Sequence, residues 1–187
     1  MRTDARLLAF AVFAAASLLE LHAGTLNGVT LPESAQVGTT TLTLNGMGVR
    51  TKYAFKVYVA GLYLAQKSSD SAAILKADAP KRIVMHFVRS VSKSQVADGF
   101  SEQFEANTPD AKKAMHAHVD RLLAVLEPMK DGDEMVFTYI PSVGTSLTIA
   151  SQERLTIAGP AFAEMIFSVW LGPKPPNAGL KTGLLGK

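Results

Sequence analysis

Apolar positions along this chain follow two periods, and the change from one to the other marks out its elements. From Thr25 to Gly38, Gly28 and Pro32 punctuate a short strand with turns, of the kind found at a sheet edge. Thr39 to Leu44 alternates threonine with leucine, which predicts a half-buried strand with Leu42 and Leu44 inward. The stretch Leu44 to Leu64, LNGMGVRTKYAFKVYVAGLYL, continues as two strands or one long bent one. Its aromatic and β-branched residues suit a pleated surface, and Gly46 and Gly48 suit a bulge, a bend or close approach by another group. Ser71 to Lys76 predicts a short helix before Pro80, and Lys81 to Arg89 a further strand.

The period then lengthens. Ser92 and Gln95 have capping-box spacing, and Val96, Phe100 and Phe104 form one apolar stripe behind them. Thr108 with Pro109 predicts the start of a second helix, whose apolar face is Met115, Val119, Leu122, Leu123 and Leu126, with Pro128 ending it. Asp131-Gly132-Asp133 is a turn, and Glu134 to Gly159 reads as a series of hairpin strands. Gly159-Pro160 opens a helix through Ile166, Phe167 and Trp170 that ends at Gly172, and a proline-rich turn with a short helix closes the chain. Strands, helices, strands and helix make one α+β domain with an antiparallel sheet.

Composition narrows the function. The formal charge is only +3 over 187 residues and no long run of like charge occurs, which gives nucleic-acid binding no support. The absence of cysteine excludes disulfides, thiolate metal sites and a cysteine nucleophile. At the N-terminus, Arg2 and Arg6 precede an apolar block from Leu7 to Leu19 and a small-residue exit at Ala23-Gly24. This is the pattern of a secretory signal peptide, too short for a bilayer that takes roughly 20 residues to span. The expected organisation is therefore a signal peptide over 1–23 and a domain over 24–187. The mature chain is expected in the periplasm or secreted, without stable membrane insertion.

Catalytic signatures are sparse. His116 and His118 stand two apart on a helix, about 200° around its axis, and so do not share a face for a metal. There is no G-x-S-x-G, no H-E-x-x-H and no phosphate-cradling glycine loop, and neither metal nor cofactor is expected. The chemistry left is one permanent cation, Arg50, set among apolar strand residues, with the Tyr58 phenol eight residues on. In a continuous strand that even spacing puts both on one face. Burying a guanidinium unpaired is costly, so Arg50 must reach water, an internal carboxylate such as Glu102 or Glu105, or an acidic ligand.

The segment NGMGVRTKYAFKVYVAGLYL and the tail VWLGPKPPNAGLKTGLLG resemble the bacterial branch of the chalcone isomerase-like superfamily, which also holds fatty-acid-binding proteins. The resemblance covers essentially the whole mature chain and implies an open-faced β-sandwich, a large antiparallel sheet with helices packed on it. In the enzymes of that superfamily an arginine stabilises developing negative charge in an intramolecular lyase reaction, and Arg50 matches it. Tyr58 stands where those enzymes carry a threonine. Their second half-site, a tyrosine and an asparagine, has no counterpart between Ser90 and Glu105. In the fatty-acid-binding relatives an arginine and a tyrosine hold the ligand carboxylate, and Arg50 and Tyr58 resemble that pair. The resemblance thus implies a noncatalytic protein that binds a fatty acid or similar amphipathic acid. Its alternatives are an isomerase using Arg50 as electrophile, or a structural protein whose Arg50 is paired internally.

Overall fold

In the computed structural model, which describes residues 24–187, three short strands lead into one long hairpin. These are β1 (Gly24–Leu26), β2 (Val29–Leu31) and β3 (Ser34–Val37), then β4 (Thr40–Lys52) and β5 (Phe55–Leu64). The expected signal peptide, 1–23, lies outside the described residues. Helix α1 (Ser71–Lys76) and strand β6 (Lys81–Phe87) follow, then α2 (Lys93–Asn107), α3 (Pro109–Ala114) and α4 (His116–Val125). Strands β7 (Glu134–Ile140), β8 (Gly144–Ile149) and β9 (Gln152–Ile157) come next, and α5 (Pro160–Leu171) and α6 (Ala178–Leu184) complete the chain. Strands β3 to β9 form one antiparallel sheet in chain order, with β1 and β2 a separate hairpin. This is the large antiparallel sheet with packed helices that the resemblance implies.

Local chemistry sets the element ends. The Asp70 carboxylate accepts from the amides of Ala72 and Ala73 at the start of α1. Ser92 and Gln95 make the reciprocal capping box on α2, and Val96, Phe100 and Phe104 are buried as the stripe requires. Pro109 opens α3, but Thr108 does not cap it: its hydroxyl donates back to the Phe104 carbonyl at 3.3 Å. The helix expected from Thr108 to Leu126 is broken at Met115 into two short ones.

The main core lies between the sheet and the helices, where Phe104, Phe137, Ile166, Phe167 and Trp170 are fully buried. Each such side chain contributes roughly 1.5–3 kcal/mol. Leu42 and Leu44 are buried on the opposite face, with Val37 and Tyr63. Lys81 is 2% exposed, and its ammonium donates to the carbonyls of Ile74 at 2.7 Å, Leu75 at 3.3 Å and Ala77 at 2.9 Å. It thereby supplies the carbonyls that end α1 with a buried cation. Burial lowers its pKa, opposed by the carboxylates of Asp78 and Glu164.

Two irregularities in the β4–β5 ladder shape what lies on that core face. Leu44 pairs with Tyr63 and Gly46 with Leu62, which leaves Asn45 as an extra residue in β4. Its amide instead donates to the carbonyls of Ser68 and Leu184 and accepts from the Ser68 N–H. Arg50 pairs with Tyr58 and Thr51 with Lys56, so Val57 is extra in β5. A bulge reverses the in–out alternation beyond it, so Val57 and Tyr58, adjacent in sequence, face the same way.

Candidate functional site

Gly46, Gly48 and Arg50 succeed one another on the helix-covered face of β4. The glycines carry no side chain because α6 lies directly on them. A Cβ at Gly46 would sit 2.2 Å from the Gly183 carbonyl oxygen, and one at Gly48 would sit 2.3 Å from that of Leu180. Arg50 is the next position, just beyond the helix. Asn177 clamps the strand at this point, donating to the Val49 carbonyl at 3.0 Å and accepting from the Thr51 amide at 3.2 Å.

Arg50 Nη1 donates to the Pro176 carbonyl at 2.9 Å and to the carbonyl of Thr51. The sequence offered it water, a carboxylate or a ligand, and the structure adds backbone carbonyls to that set. Among the described residues no carboxylate pairs with it: Glu102 is 4.0 Å from Lys52 and Glu105 is 3.0 Å from Lys112. A guanidinium has five N–H donors, and these two bonds use only those of Nη1.

Tyr58 lies directly opposite Arg50, on the neighbouring strand of the hairpin rather than further along one strand. Its ring packs against Phe87 with centroids 5.5 Å apart, and its oxygen accepts from Trp170 Nε1 at 3.0 Å. An indole nitrogen is only a donor, so the phenol keeps its own hydrogen to donate elsewhere. Burial pushes the Tyr58 phenol up to about 12, although the Trp170 hydrogen bond and the Arg50 charge both favour the phenolate. The group is therefore a neutral donor at neutral pH and a poor general base.

Both residues line a cleft of about 390 Å³ between the turn end of the β4–β5 hairpin and α2, a volume within the range of small-molecule sites. Val57, Phe87, Val96, Phe100 and Trp170 supply its apolar wall, and Lys52, Arg89, Gln95, Glu102 and Gln103 its polar rim. Phe100 meets the Trp170 ring edge-on at 6.1 Å, which fixes the floor. Gly99 of α2 also borders the cleft, and a Cβ there would meet nothing within 4 Å. The structure thus brings the two sequence-predicted site residues together. It adds Trp170, which composition could not separate from ordinary core, and Asn177, which no pattern marked. His86 sits away from the cleft, with its Nδ1 3.3 Å from Glu134.

A family model described as chalcone isomerase-like matches residues 23–186. The chain belongs to the chalcone isomerase-like family. Among curated proteins nothing matches significantly. The crystal structure of a fatty-acid binding protein from Arabidopsis thaliana is similar, with a TM-score of 0.68 at 15% identity, over 88% of this chain and 96% of that one. At that identity the likeness shows the fold, the chalcone isomerase-like arrangement of a curled seven-stranded sheet and packed helices. No described helix is long and apolar enough to cross a membrane.

Proposed function

We propose that this chalcone isomerase-like protein is an exported, noncatalytic carrier or sensor that binds a fatty acid or similar amphipathic carboxylate. The observation that carries the proposal is Arg50: a guanidinium held by two backbone carbonyls, with no acidic partner among the described residues, at an apolar cleft. Its remaining donors and the Tyr58 hydroxyl suit a carboxylate, and the apolar wall suits an alkyl chain at about 0.8 kcal/mol per buried CH₂. The fatty-acid-binding neighbour supports this class of ligand. Export is proposed on the charge and apolar pattern of residues 2–24. The face that α2 turns to the cleft offers no tyrosine or asparagine as a second half-site for cyclisation.

The test is displacement of a fluorescent fatty acid by an acid and by the alcohol of the same chain length. A charge-assisted hydrogen bond contributes roughly 1.5–3 kcal/mol, so the protein should prefer the acid by about tenfold or more. Arg50→Gln, checked as folded by circular dichroism, should abolish that preference. Equal affinity of the native protein for acid and alcohol would overturn the assignment.

A further inference from the structure

The tip of the β4–β5 hairpin is built in a way that neither the core nor the ligand contacts explain. Tyr53 is 85% exposed and Phe55 61% exposed, the two most exposed large apolar side chains among the described residues. Tyr53 and Ala54 form a two-residue turn, with φ of 50° and 66°. Both angles lie in the left-handed region, where Asn-Gly is the favoured pair and other residues cost on the order of 1 kcal/mol each. The chain accepts that strain while presenting an aromatic side chain outward.

The charges around the tip have one predominant sign. Lys52 Nζ stands 5.9 Å from the centre of the Tyr53 ring, and Arg89 Cζ lies 4.8 Å above the Phe55 ring. Lys56 follows Phe55 and is hydrogen-bonded to Asn27. Against these three cations stands one carboxylate, Glu102, 4.0 Å from Lys52. Lys52, Tyr53, Phe55 and Arg89 also border the cleft, so the tip forms part of its rim.

We propose that this tip docks on an anionic bilayer surface, with Tyr53 and Phe55 entering the headgroup region and Lys52, Lys56 and Arg89 resting on lipid phosphates. Aromatic rings flanked by basic side chains suit that boundary, which is apolar beneath and negatively charged above. A second copy of the chain is a poorer occupant, because it brings the same excess of positive charge to the contact. The use of such docking, ligand exchange with the bilayer at the mouth of the cleft, rests on the fatty-acid reading. The docking itself does not.

The experiment is co-sedimentation of the purified, ligand-free protein with vesicles of phosphatidylcholine, alone or with about one quarter phosphatidylglycerol, a content that gives a negative surface potential. The native protein should bind the anionic vesicles, and added salt should weaken that binding. The double substitution Tyr53→Ser/Phe55→Ser, at exposed positions, should lower the partition coefficient at least about tenfold while the circular dichroism spectrum is retained, since each removes an interfacial aromatic. Lys52→Gln/Lys56→Gln, which leaves Arg89, should reduce the preference for anionic over neutral vesicles. No vesicle binding, or equal binding by the native protein and the double variant, would overturn the proposal. So would a concentration-dependent dimer that the same double substitution dissolves, because it would assign the tip to self-association. Fatty-acid displacement is measured separately. Docking without fatty-acid binding would sink the proposed function alone, and fatty-acid binding without docking would sink this inference alone.

Discussion

Tyr58 is bound to Trp170 by a hydrogen bond inside the core, so its hydroxyl has a structural partner as well as a place at the cleft. Tyr58→Phe should leave the Trp170 indole N–H buried and unpaired, at a cost of about 1–3 kcal/mol by urea denaturation. An unchanged urea midpoint would mean that water replaces the phenol. The Arg50–Tyr58 pair was legible from an even spacing and from the resemblance to fatty-acid-binding relatives, although the two stand on neighbouring strands rather than along one. The supporting contacts were hidden, because Pro176 and Asn177 reach β4 from a segment more than a hundred residues away. Lys81 was equally hidden: in sequence it is an ordinary charged residue opening a strand, and only the fold brings three carbonyls to it.

At the level of elements, two glycines should respond to the same substitution with opposite signs. Gly48→Ala drives a methyl into the backbone of α6, at 2.3 Å from the Leu180 oxygen, and should cost about 1–3 kcal/mol, the usual range for overpacking. It should also weaken ligand binding, because Pro176 and Asn177 hold Arg50 from the approach to that helix. Gly99→Ala points its methyl into open space in the middle of α2 and should stabilise by up to about 1 kcal/mol, the difference in helix propensity. Thermal melts of the two variants check both signs. The glycines flanking Met47 were readable as a place of close approach, but not what approaches. The capping box and stripe of α2 were readable because their determinants are local. The break at Met115 was not, since the apolar period continues across it, and neither was the bulge at Val57, which depends on the pairing of two strands.

For the whole molecule, burial pushes Tyr58, Tyr63 and Tyr139 up to about 12. A phenol with a raised folded pKa keeps its proton where the unfolded chain has lost it, so stability falls as pH rises from the ordinary value of 10 towards 12. The slope is at most about 1.4 kcal/mol per pH unit for each phenol that stays buried. Urea midpoints should accordingly decline across this window, and a flat profile would show that the phenols ionise without loss of the fold. The architecture was legible from the order of periods because the sheet is a meander in which each strand pairs with the next one in sequence. The last two helices depart from that rule, α5 returning to α1, α2 and Tyr58 and α6 to β4. Most strand pairs of the meander join segments close in sequence, which costs little loop-closure entropy, whereas the Arg50–Pro176 contact spans 126 residues. A chain emerging N-terminus first therefore carries Arg50 long before the segment that positions it. The sheet needs few distant contacts, while the geometry around Arg50 is complete only when residues 176 to 184 have folded back onto β4.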